Sequence, residues 1–331
     1  MVKPTYLKEI HVEQAVGMKL GHDLTRILPG EFKGRAFKAG HVITEEDIPK
    51  LLDIGKRHIY VLDIPEGFLH ENEGAERMAK ALSGENIQLT EPVEGKVTLK
   101  STIHGLLKVN AGIVHQANEI EEISVSTLVD NVIVRPGQSV AGVRPIPLII
   151  DEAKIQSIEG LAAIGPALRI KPFQSMKVGM VTTGSEVFTG RIQDKFGPVV
   201  REKIQAFGSE VVEQRFADDD TEHIQQEIRY FLEQKVDLIL VTGGMSVDPD
   251  DRTPGAIKGV GAHVVRYGTP MLPGSMLMVA YYGDTPILGL PGCVMHDPYT
   301  SFDVFLPRIL AGEKIVEQDI ISLGYGGYHS C

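Results

Sequence analysis

The pattern of hydrophobic and polar residues divides the chain into parts with different predicted elements. Up to about residue 65, short strand-like pieces mix with turns. Thr44, followed three residues later by Asp47, resembles a helix N-cap with an acidic first turn, so we expect a short helix that ends near Gly55. The run 58–62 then predicts a strand. Residues 1–65 are therefore expected to form a small α+β unit.

Residues 66–172 follow a different pattern. A helix is predicted at 76–82, and 151–161 is expected to be a helix or a linker. Between them, short β-branched runs separated by turns predict strands at residues 96–99, 112–114, 132–134 and 147–150. We expect a β-rich second unit.

Strands and helices alternate from residue 173 to residue 312. Strands are predicted at 178–181, 211–216, 237–241 and 286–290, and helices at 199–207, 221–234, 253–258 and 295–310. This alternation is typical of a parallel sheet with crossover helices. The sequence therefore predicts an α/β domain with a three-layer, mostly parallel sheet, preceded by a smaller β-rich α+β region. Residues 313–331 show no packing pattern and are expected to form a tail.

Charge and composition narrow the function classes. The 331 residues suggest two or three domains at ~150 residues per domain. The 44 acidic residues outnumber the 33 basic ones, which argues against a nucleic-acid binder with a basic face. The longest apolar run, 276–282, is too short to span a membrane, and residues 1–6 lack a signal-peptide pattern, so we expect a cytoplasmic protein. Two cysteines, Cys293 and Cys331, support neither a disulfide framework nor a four-ligand zinc site.

Three glycine-bearing segments follow predicted strands of the α/β domain, where ligands of open sheets bind. They are Thr183-Gly184-Ser185-Glu186, Thr242-Gly243-Gly244-Met245-Ser246 and Gly289-Leu290-Pro291-Gly292. Glycine allows close backbone approach and lets several N–H groups point at one anion. The segments therefore predict a phosphate cradle, although a Gly-Gly pair that only turns the chain is the alternative for any one of them.

Carboxylates are dense at the same predicted edge, where the chain places Glu186, Asp194, Asp248, Asp250 and Asp251. Mg²⁺ commonly bridges one or two carboxylates to substrate phosphates, so an acidic edge can hold an anionic ligand. Asp251 comes two residues before Thr253, which is expected to cap a helix that starts at Pro254, so Asp251 is expected at the rigid end of its loop. Scattered solvated acids are the alternative, which we favour for 218–220 as acids of a helix N-terminus. Cys293 and His296 are interpreted as incidental neighbours.

In this order, the segments resemble the molybdopterin-binding domain family shared by molybdopterin adenylyltransferases and molybdopterin molybdotransferases, over about residues 177–312. Gln193-Asp194-Lys195 and Asp251-Arg252-Thr253-Pro254 are similar to the adenylyltransferase branch. This resemblance implies catalytic and magnesium-binding roles for Asp194 and Asp251. The segment with Glu186 and the N-terminal stretch 39–55 are similar to the molybdotransferase branch, which adds Glu186 as a candidate catalytic residue.

The resemblance also implies the ligand contacts. The pterin and its phosphate are expected to contact Thr183, Gly184, Ser185, Thr242, Gly243, Gly244, Ser246, Pro291 and Gly292. The molybdotransferase pattern has a lysine and an asparagine where this chain has Ser275 and Cys293. A cation and an amide near the anionic ligand are therefore missing.

The leading hypothesis is molybdopterin binding in molybdenum cofactor biosynthesis, with Mg²⁺-dependent adenylyl or molybdate transfer and ATP or AMP as the nucleotide. One alternative is a non-catalytic carrier or sensor that hands the cofactor to molybdoenzymes or other cofactor-synthesis proteins. Another is a nucleotide pyrophosphate hydrolase, because the domain also resembles the competence-damage-inducible family. The resemblance further implies a homo-oligomer.

Overall fold

The computed structural model describes residues 7–28, 32–62 and 64–329. The chain divides into two compact units, residues 1–171 and 172–331. Residues 1–6 and Cys331, on which two of the expectations above rest, lie outside the described residues. Within the described ranges, no helix combines the length and the apolar character needed to cross a membrane.

The first unit is rich in short strands. The strands are β1 (Leu7–His11), β2 (Leu24–Leu28), β3 (Phe32–Phe37), β4 (His58–Leu62), β5 (Phe68–His70), β6 (Ile87–Leu89), β7 (Val97–Ser101), β8 (Gly105–Val109), β9 (Ile123–Thr127), β10 (Ile133–Val134), β11 (Ser139–Pro145), β12 (Ile149–Asp151) and β13 (Leu168–Pro172). The helices are α1 (Asp47–Asp53), α2 (Glu71–Leu82), α3 (Ala111–Glu119) and α4 (Glu152–Leu161). The largest sheet has the order β6-β7-β11-β9, and a second has the order β10-β8-β13.

The strand predicted at 112–114 is wrong, because these residues lie in α3. The Asn110 side chain accepts a hydrogen bond from the N–H of Ile113 at 3.2 Å and so caps the helix. Ile113, Val114 and Ala117 are buried on one face. The short apolar run was thus the start of a helical stripe, which period alone does not distinguish from a buried strand.

The second unit contains one six-stranded sheet. Its strands are β14 (Lys177–Thr183), β15 (Glu210–Ala217), β16 (Leu238–Thr242), β17 (His263–Tyr267), β18 (Met278–Tyr282) and β19 (Thr285–Leu290). Its helices are α5 (Ser185–Phe188), α6 (Phe196–Gln205), α7 (Thr221–Glu233), α8 (Thr253–Gly259), α9 (Ser301–Leu310) and α10 (Glu317–Ser322). In the order β15-β14-β16-β19-β18-β17, the first four strands are parallel and the last two are antiparallel to their neighbours. The predicted mostly parallel α/β sheet is confirmed.

Helices cover both faces of this sheet. Successive residues of a strand point to opposite faces, so each strand contributes side chains to two cores. Met180, Leu240 and Leu288 pack in one core with residues of α6 and α9. Val181 and Val241 pack in a second core with residues of α7 and α8. The second unit therefore has three layers.

Two predicted boundaries change near the C-terminus. The helix predicted at 295–310 begins only at Ser301, because Thr300 forms a capping box with Asp303 and residues 292–295 form a separate 3₁₀ turn. Residues expected to form a tail include α10, and Ile315 and Ile320 are buried in the core. The chain beyond residue 312 therefore belongs to the packed unit.

Candidate functional site

Strand register brings the glycine-bearing segments together. Thr242 of β16 pairs with Thr182 of β14 on one side and with Leu290 of β19 on the other. Thr183 pairs with Ala217, the last residue of β15. The ends of these four parallel strands form one row, here called the carboxyl edge. All three segments singled out by the sequence start from it.

The Gly243–Gly244 turn lies at the centre of the carboxyl edge. Both glycines have positive φ, +89° and +57°. A Cβ atom on Gly243 would lie 2.5 Å from the carbonyl oxygen of Thr183, so a side chain does not fit there. In the part of the chain that the structure describes, the N–H groups of Gly244, Met245 and Ser246 donate no hydrogen bond. Such a series of unpaired donors is suited to an anion.

Thr253, the first residue of α8, holds this turn from below. Its buried hydroxyl donates to the carbonyl oxygen of Gly243 at 2.8 Å, and its N–H donates to that of Gly244 at 3.2 Å. The Thr183 hydroxyl lies 3.3 Å from the Thr253 hydroxyl. The turn is therefore fixed to both the strand before it and the helix after it.

Asp251 closes the loop between β16 and α8. Its Oδ2 accepts a hydrogen bond from the Asp248 N–H at 2.9 Å, and its own N–H donates to the Asp248 carbonyl at 2.9 Å. The Tyr267 hydroxyl donates to the carbonyl of Met245 at 2.7 Å. Burial raises the pKa of Tyr267, and the negative charge of Asp251 raises it further. Among the described residues, Oδ1 of Asp251 accepts no hydrogen bond, so it is available to a cation.

Asp194 has a different environment at the same edge. Its Oδ1 accepts from the N–H of Phe196 at 2.9 Å and its Oδ2 from the N–H of Gly197 at 3.0 Å, at the start of α6. Gln214 Nε2 donates to Asp194 Oδ2 at 2.6 Å and to the Thr182 hydroxyl at 2.9 Å. Asp194 therefore lies on the α6 side of the sheet, whereas Asp251 lies on the α8 side. Its oxygens already accept hydrogen bonds that position α6.

No metal cluster is evident in the described ranges, since no group of three or more His, Cys, Asp or Glu side chains there is placed to hold a metal ion. A donor set of one carboxylate oxygen from Asp251 is still compatible with Mg²⁺, which usually takes its remaining ligands from water and substrate phosphates. The magnesium site stays a prediction.

The first segment contacts Asp218 and Asp219, two acids that were expected only to favour a helix N-terminus. The Ser185 N–H donates to Asp219 Oδ2 at 2.8 Å, and the Ser185 hydroxyl donates to Asp218 and to Asp219. The Ser185 hydrogen bond holds the pKa of Asp218 below its usual value. Asp220 caps α7 by accepting from the His223 N–H at 2.9 Å, as expected for an acid at a helix N-terminus. Asp218 and Asp219 could have been found because they directly follow β15.

The remaining predicted residues flank these groups. Glu186 is exposed, and a Cβ on Gly184 would lie 3.2 Å from its Oε1. Pro291 is buried and Gly292 is exposed at the start of the 3₁₀ turn. His296 donates its N–H to the Cys293 carbonyl at 2.9 Å, so these two residues share a turn. Ser246 is exposed on the loop.

A cavity in the first unit had no signal in the sequence. Its volume is about 700 Å³, and its charged lining includes Lys19, Lys38, Glu73 and Glu76. Burial lowers the pKa of His70, another lining residue, whose Nε2 lies 2.7 Å from the Gly21 carbonyl. The mixed charges select no single class of ligand.

Comparison with family models supports the resemblance of the second unit to molybdopterin-binding domains. Residues 179–311 match a model described as a probable molybdopterin binding domain, which confirms the resemblance drawn from the glycine-bearing segments. Residues 9–63 match a domain of unknown function.

Known proteins align with parts of the chain. A CinA-like protein of Mycobacterium tuberculosis is 38% identical over 79 residues, which cover 24% of this chain and 18% of the relative. The alignment thus spans about a fifth of the curated relative. Among solved structures, the molybdopterin biosynthesis enzyme MoaB of Thermus thermophilus is 25% identical, with 42% of this chain and 98% of that chain covered and a TM-score of 0.35. The molybdopterin biosynthesis MoeA protein of Pyrococcus horikoshii is 15% identical, with 92% and 75% covered and a TM-score of 0.34.

Proposed function

We propose that the carboxyl edge of the second unit binds molybdopterin in molybdenum cofactor biosynthesis, with the terminal phosphate in the Gly243–Gly244 turn. The observation that carries this proposal is the row of unpaired N–H groups at Gly244, Met245 and Ser246, in a turn that Thr253 holds in place. A fixed set of N–H donors binds phosphate without a lysine, which fits a chain with net charge -11.

Charge near the phosphate comes from two groups at the end of the loop. Arg252 precedes α8 and is exposed, and its guanidinium forms no ion pair within the described residues. It can offset the charge of the anionic ligand, in place of the lysine that the molybdotransferase pattern has elsewhere. Asp251 Oδ1 is the oxygen that we assign to Mg²⁺, which would neutralise charge on the phosphates of a bound nucleotide.

The proposed reaction is transfer of an adenylyl group or of molybdate to molybdopterin. For adenylyl transfer, a terminal phosphate oxygen of molybdopterin attacks the α-phosphorus of ATP and pyrophosphate leaves. The turn would orient the attacking phosphate, and Asp251 would hold the Mg²⁺ that neutralises charge on the nucleotide phosphates. Catalysis then consists of positioning and charge neutralisation. Asp194 and Glu186, on the α6 side and in the first segment, are proposed to contact the nucleotide.

Calorimetric titration with molybdopterin, then ATP and Mg²⁺, with analysis of the products, tests this proposal. Wild type should bind molybdopterin and form adenylylated or metallated pterin. Asp251→Asn should abolish turnover and leave pterin binding largely intact, because the amide keeps the loop hydrogen bond to Asp248 but holds the cation poorly. Undiminished turnover by Asp251→Asn would rule out the assigned role.

A second candidate is supported by the CinA-like relatives, whose aligned segments make up 18% of their length. In this proposal the same edge hydrolyses a nucleotide pyrophosphate. Release of AMP from ADP-ribose without affinity for molybdopterin would favour it. Tight pterin binding without any product would instead favour a carrier or sensor. The absence of the lysine and the asparagine of the molybdotransferase pattern also supports this alternative.

A further inference from the structure

Two aromatic rings from distant segments meet in the second unit. Tyr299 lies between β19 and α9, and His329 lies in the C-terminal segment after α10. Their ring centroids are 5.2 Å apart, with an interplanar angle of 74°. Tyr299 is 47% exposed and His329 is exposed, so a ligand can reach both rings.

Backbone hydrogen bonds hold the C-terminal segment in this position. The Leu272 N–H donates to the Gly327 carbonyl at 2.9 Å, and the His329 N–H donates to the Leu272 carbonyl at 2.8 Å. A Cβ on Gly327 would lie 2.6 Å from the carbonyl oxygen of Pro270, so glycine permits the close approach. His329 is therefore attached to the stretch 268–276 by a short parallel bridge.

That stretch belongs to the carboxyl edge. It leads into β18, whose first residue, Met278, pairs with Gly289 near the end of β19. The Ser301 hydroxyl donates to the Gly274 carbonyl at 2.7 Å, which joins the stretch to the loop that carries Tyr299. Both rings thus stand at the edge that holds the Gly243–Gly244 turn, on its β19 and β18 side.

We infer that Tyr299 and His329 form an aromatic wall that receives the pterin ring of the ligand, an inference that rests on the proposed function. A pterin is a planar heteroaromatic ring joined to a phosphate, so a site that holds the phosphate by N–H groups also needs a flat surface for the ring. Nitrogen heterocycles stack on aromatic side chains, and the perpendicular arrangement of this pair offers a face and an edge. The wall fixes which side of the turn the ring occupies.

Other exposed rings lie near this edge: Phe216 is 39% exposed, Tyr267 is 40% exposed, and Phe188 is the one that matches Tyr299 in exposure. Phe188 in α5 is 46% exposed and stands at the β14 and β15 side of the edge, against His223. The two aromatic sites have nearly equal exposure but lie on opposite sides of the Gly243–Gly244 turn. Phe188 is therefore the matched alternative to the Tyr299–His329 pair for contact with the pterin ring.

Fluorescence titration of the full chain with neopterin monophosphate tests the inference. Tyr299→Ala and His329→Ala should each raise the Kd at least ~10-fold, whereas Tyr299→Phe should stay near wild type because the ring remains. Phe188→Ala and Tyr325→Ala, the latter fully exposed in the same C-terminal segment, should leave the Kd unchanged. The inhibition constant of inorganic phosphate against the probe should be the same in wild type and His329→Ala, because the phosphate turn is unchanged.

The outcomes separate the two proposals. If wild type binds the probe and both wall variants bind it equally well, the wall is refuted and the phosphate turn stands. A loss confined to Phe188→Ala would place the ring on the opposite side and also refute the wall. If wild type binds no pterin phosphate, the proposed function fails and the wall fails with it. Because His329 is exposed, its alanine variant keeps the test valid even if Tyr299→Ala does not fold.

Discussion

The hydroxyl groups of Thr183 and Thr253 lie 3.3 Å apart at the carboxyl edge, although 70 positions separate them in the chain. One ends β14 and the other starts α8, and the Gly243–Gly244 turn lies against both. The shape of the proposed phosphate site is thus set by side chains from two elements that flank the turn, rather than by the turn alone.

Removing the Thr253 hydroxyl should loosen this turn. In Thr253→Val the half-buried carbonyl of Gly243 loses its 2.8 Å hydrogen bond, so we expect a loss of stability of about 1–2 kcal/mol and weaker binding of molybdopterin. Chemical denaturation and pterin titration measure the two effects. Thr253→Ser keeps the hydroxyl and should restore most of both. Equal pterin affinity in Thr253→Val and wild type would show that the turn does not depend on this contact.

Asp194 allows its structural and catalytic roles to be separated. Asp194→Ala should cost about 1 kcal/mol of stability, because the N–H groups of Phe196 and Gly197 lose their acceptor. Asp194→Asn retains one acceptor oxygen for the N–H groups of Phe196 and Gly197, so it should lose less stability than Asp194→Ala. Steady-state turnover of the Asn variant is then informative. We expect it to fall at least ~10-fold if the charge acts on the nucleotide, and wild-type turnover would leave Asp194 with the capping role only.

Stability of the first unit should fall as pH rises towards 7. Burial raises the pKa of Glu71 to about 7, with Asp23 and Glu94 raising it further and Arg144 opposing them. The Glu71 carboxyl has a pKa of about 4.3 in the unfolded chain, so above that pH the folded state keeps a proton that the unfolded state loses. The stabilisation of the folded state that is linked to this proton is complete below about pH 4.3. It is lost as pH rises from about 4.3 through 7, on the order of 1–3 kcal/mol after allowance for solvent screening.

Glu71→Gln should remove this pH dependence, because the amide does not ionise. Thermal denaturation between pH 5 and pH 8 should show that the variant gains stability relative to wild type as pH increases. Glu73→Gln, at an exposed neighbouring position, is the matched control and should follow wild type. If the stability of wild type and of Glu71→Gln changed with pH in the same way, the raised pKa of Glu71 would be contradicted.

The sequence predicted the second unit better than the first, for physical reasons. Buried parallel strands such as β16 are continuous apolar runs, and α7 shows a clear apolar face at Ile224 and Ile228, so period and composition agree. For the run 112–114 the apolar pattern is ambiguous, because it fits both a strand and a helix such as the nine-residue α3. Its N-cap, Asn110, was the overlooked signal.

The sequence predicts which edge of the sheet carries the candidate site, but it does not predict how the side chains are arranged along that edge. Sequence order showed that the glycine-bearing segments follow strands, which is enough to place them in one row. It did not show that Asp194 would face α6 while Asp251 closes the loop on the α8 side, because this depends on side-chain contacts with Gln214 and Asp248. The contact of Ser185 with Asp218 required tertiary pairing of β14 and β15 in the same way.

The central claim is that the Gly243–Gly244 turn binds the phosphate of a pterin, and one binding measurement tests it most directly. Affinities for neopterin monophosphate and neopterin are compared in wild type, Gly243→Ala and Gly283→Ala. Both glycines have positive φ, but only a Cβ at Gly243 meets backbone, while Gly283 has open space in the hairpin at the opposite end of the strands. Wild type and Gly283→Ala should bind the phosphorylated pterin at least ~10-fold more tightly, and Gly243→Ala should lose that preference. Equal affinity of wild type for the two pterins, or an undiminished preference in Gly243→Ala, would contradict the account.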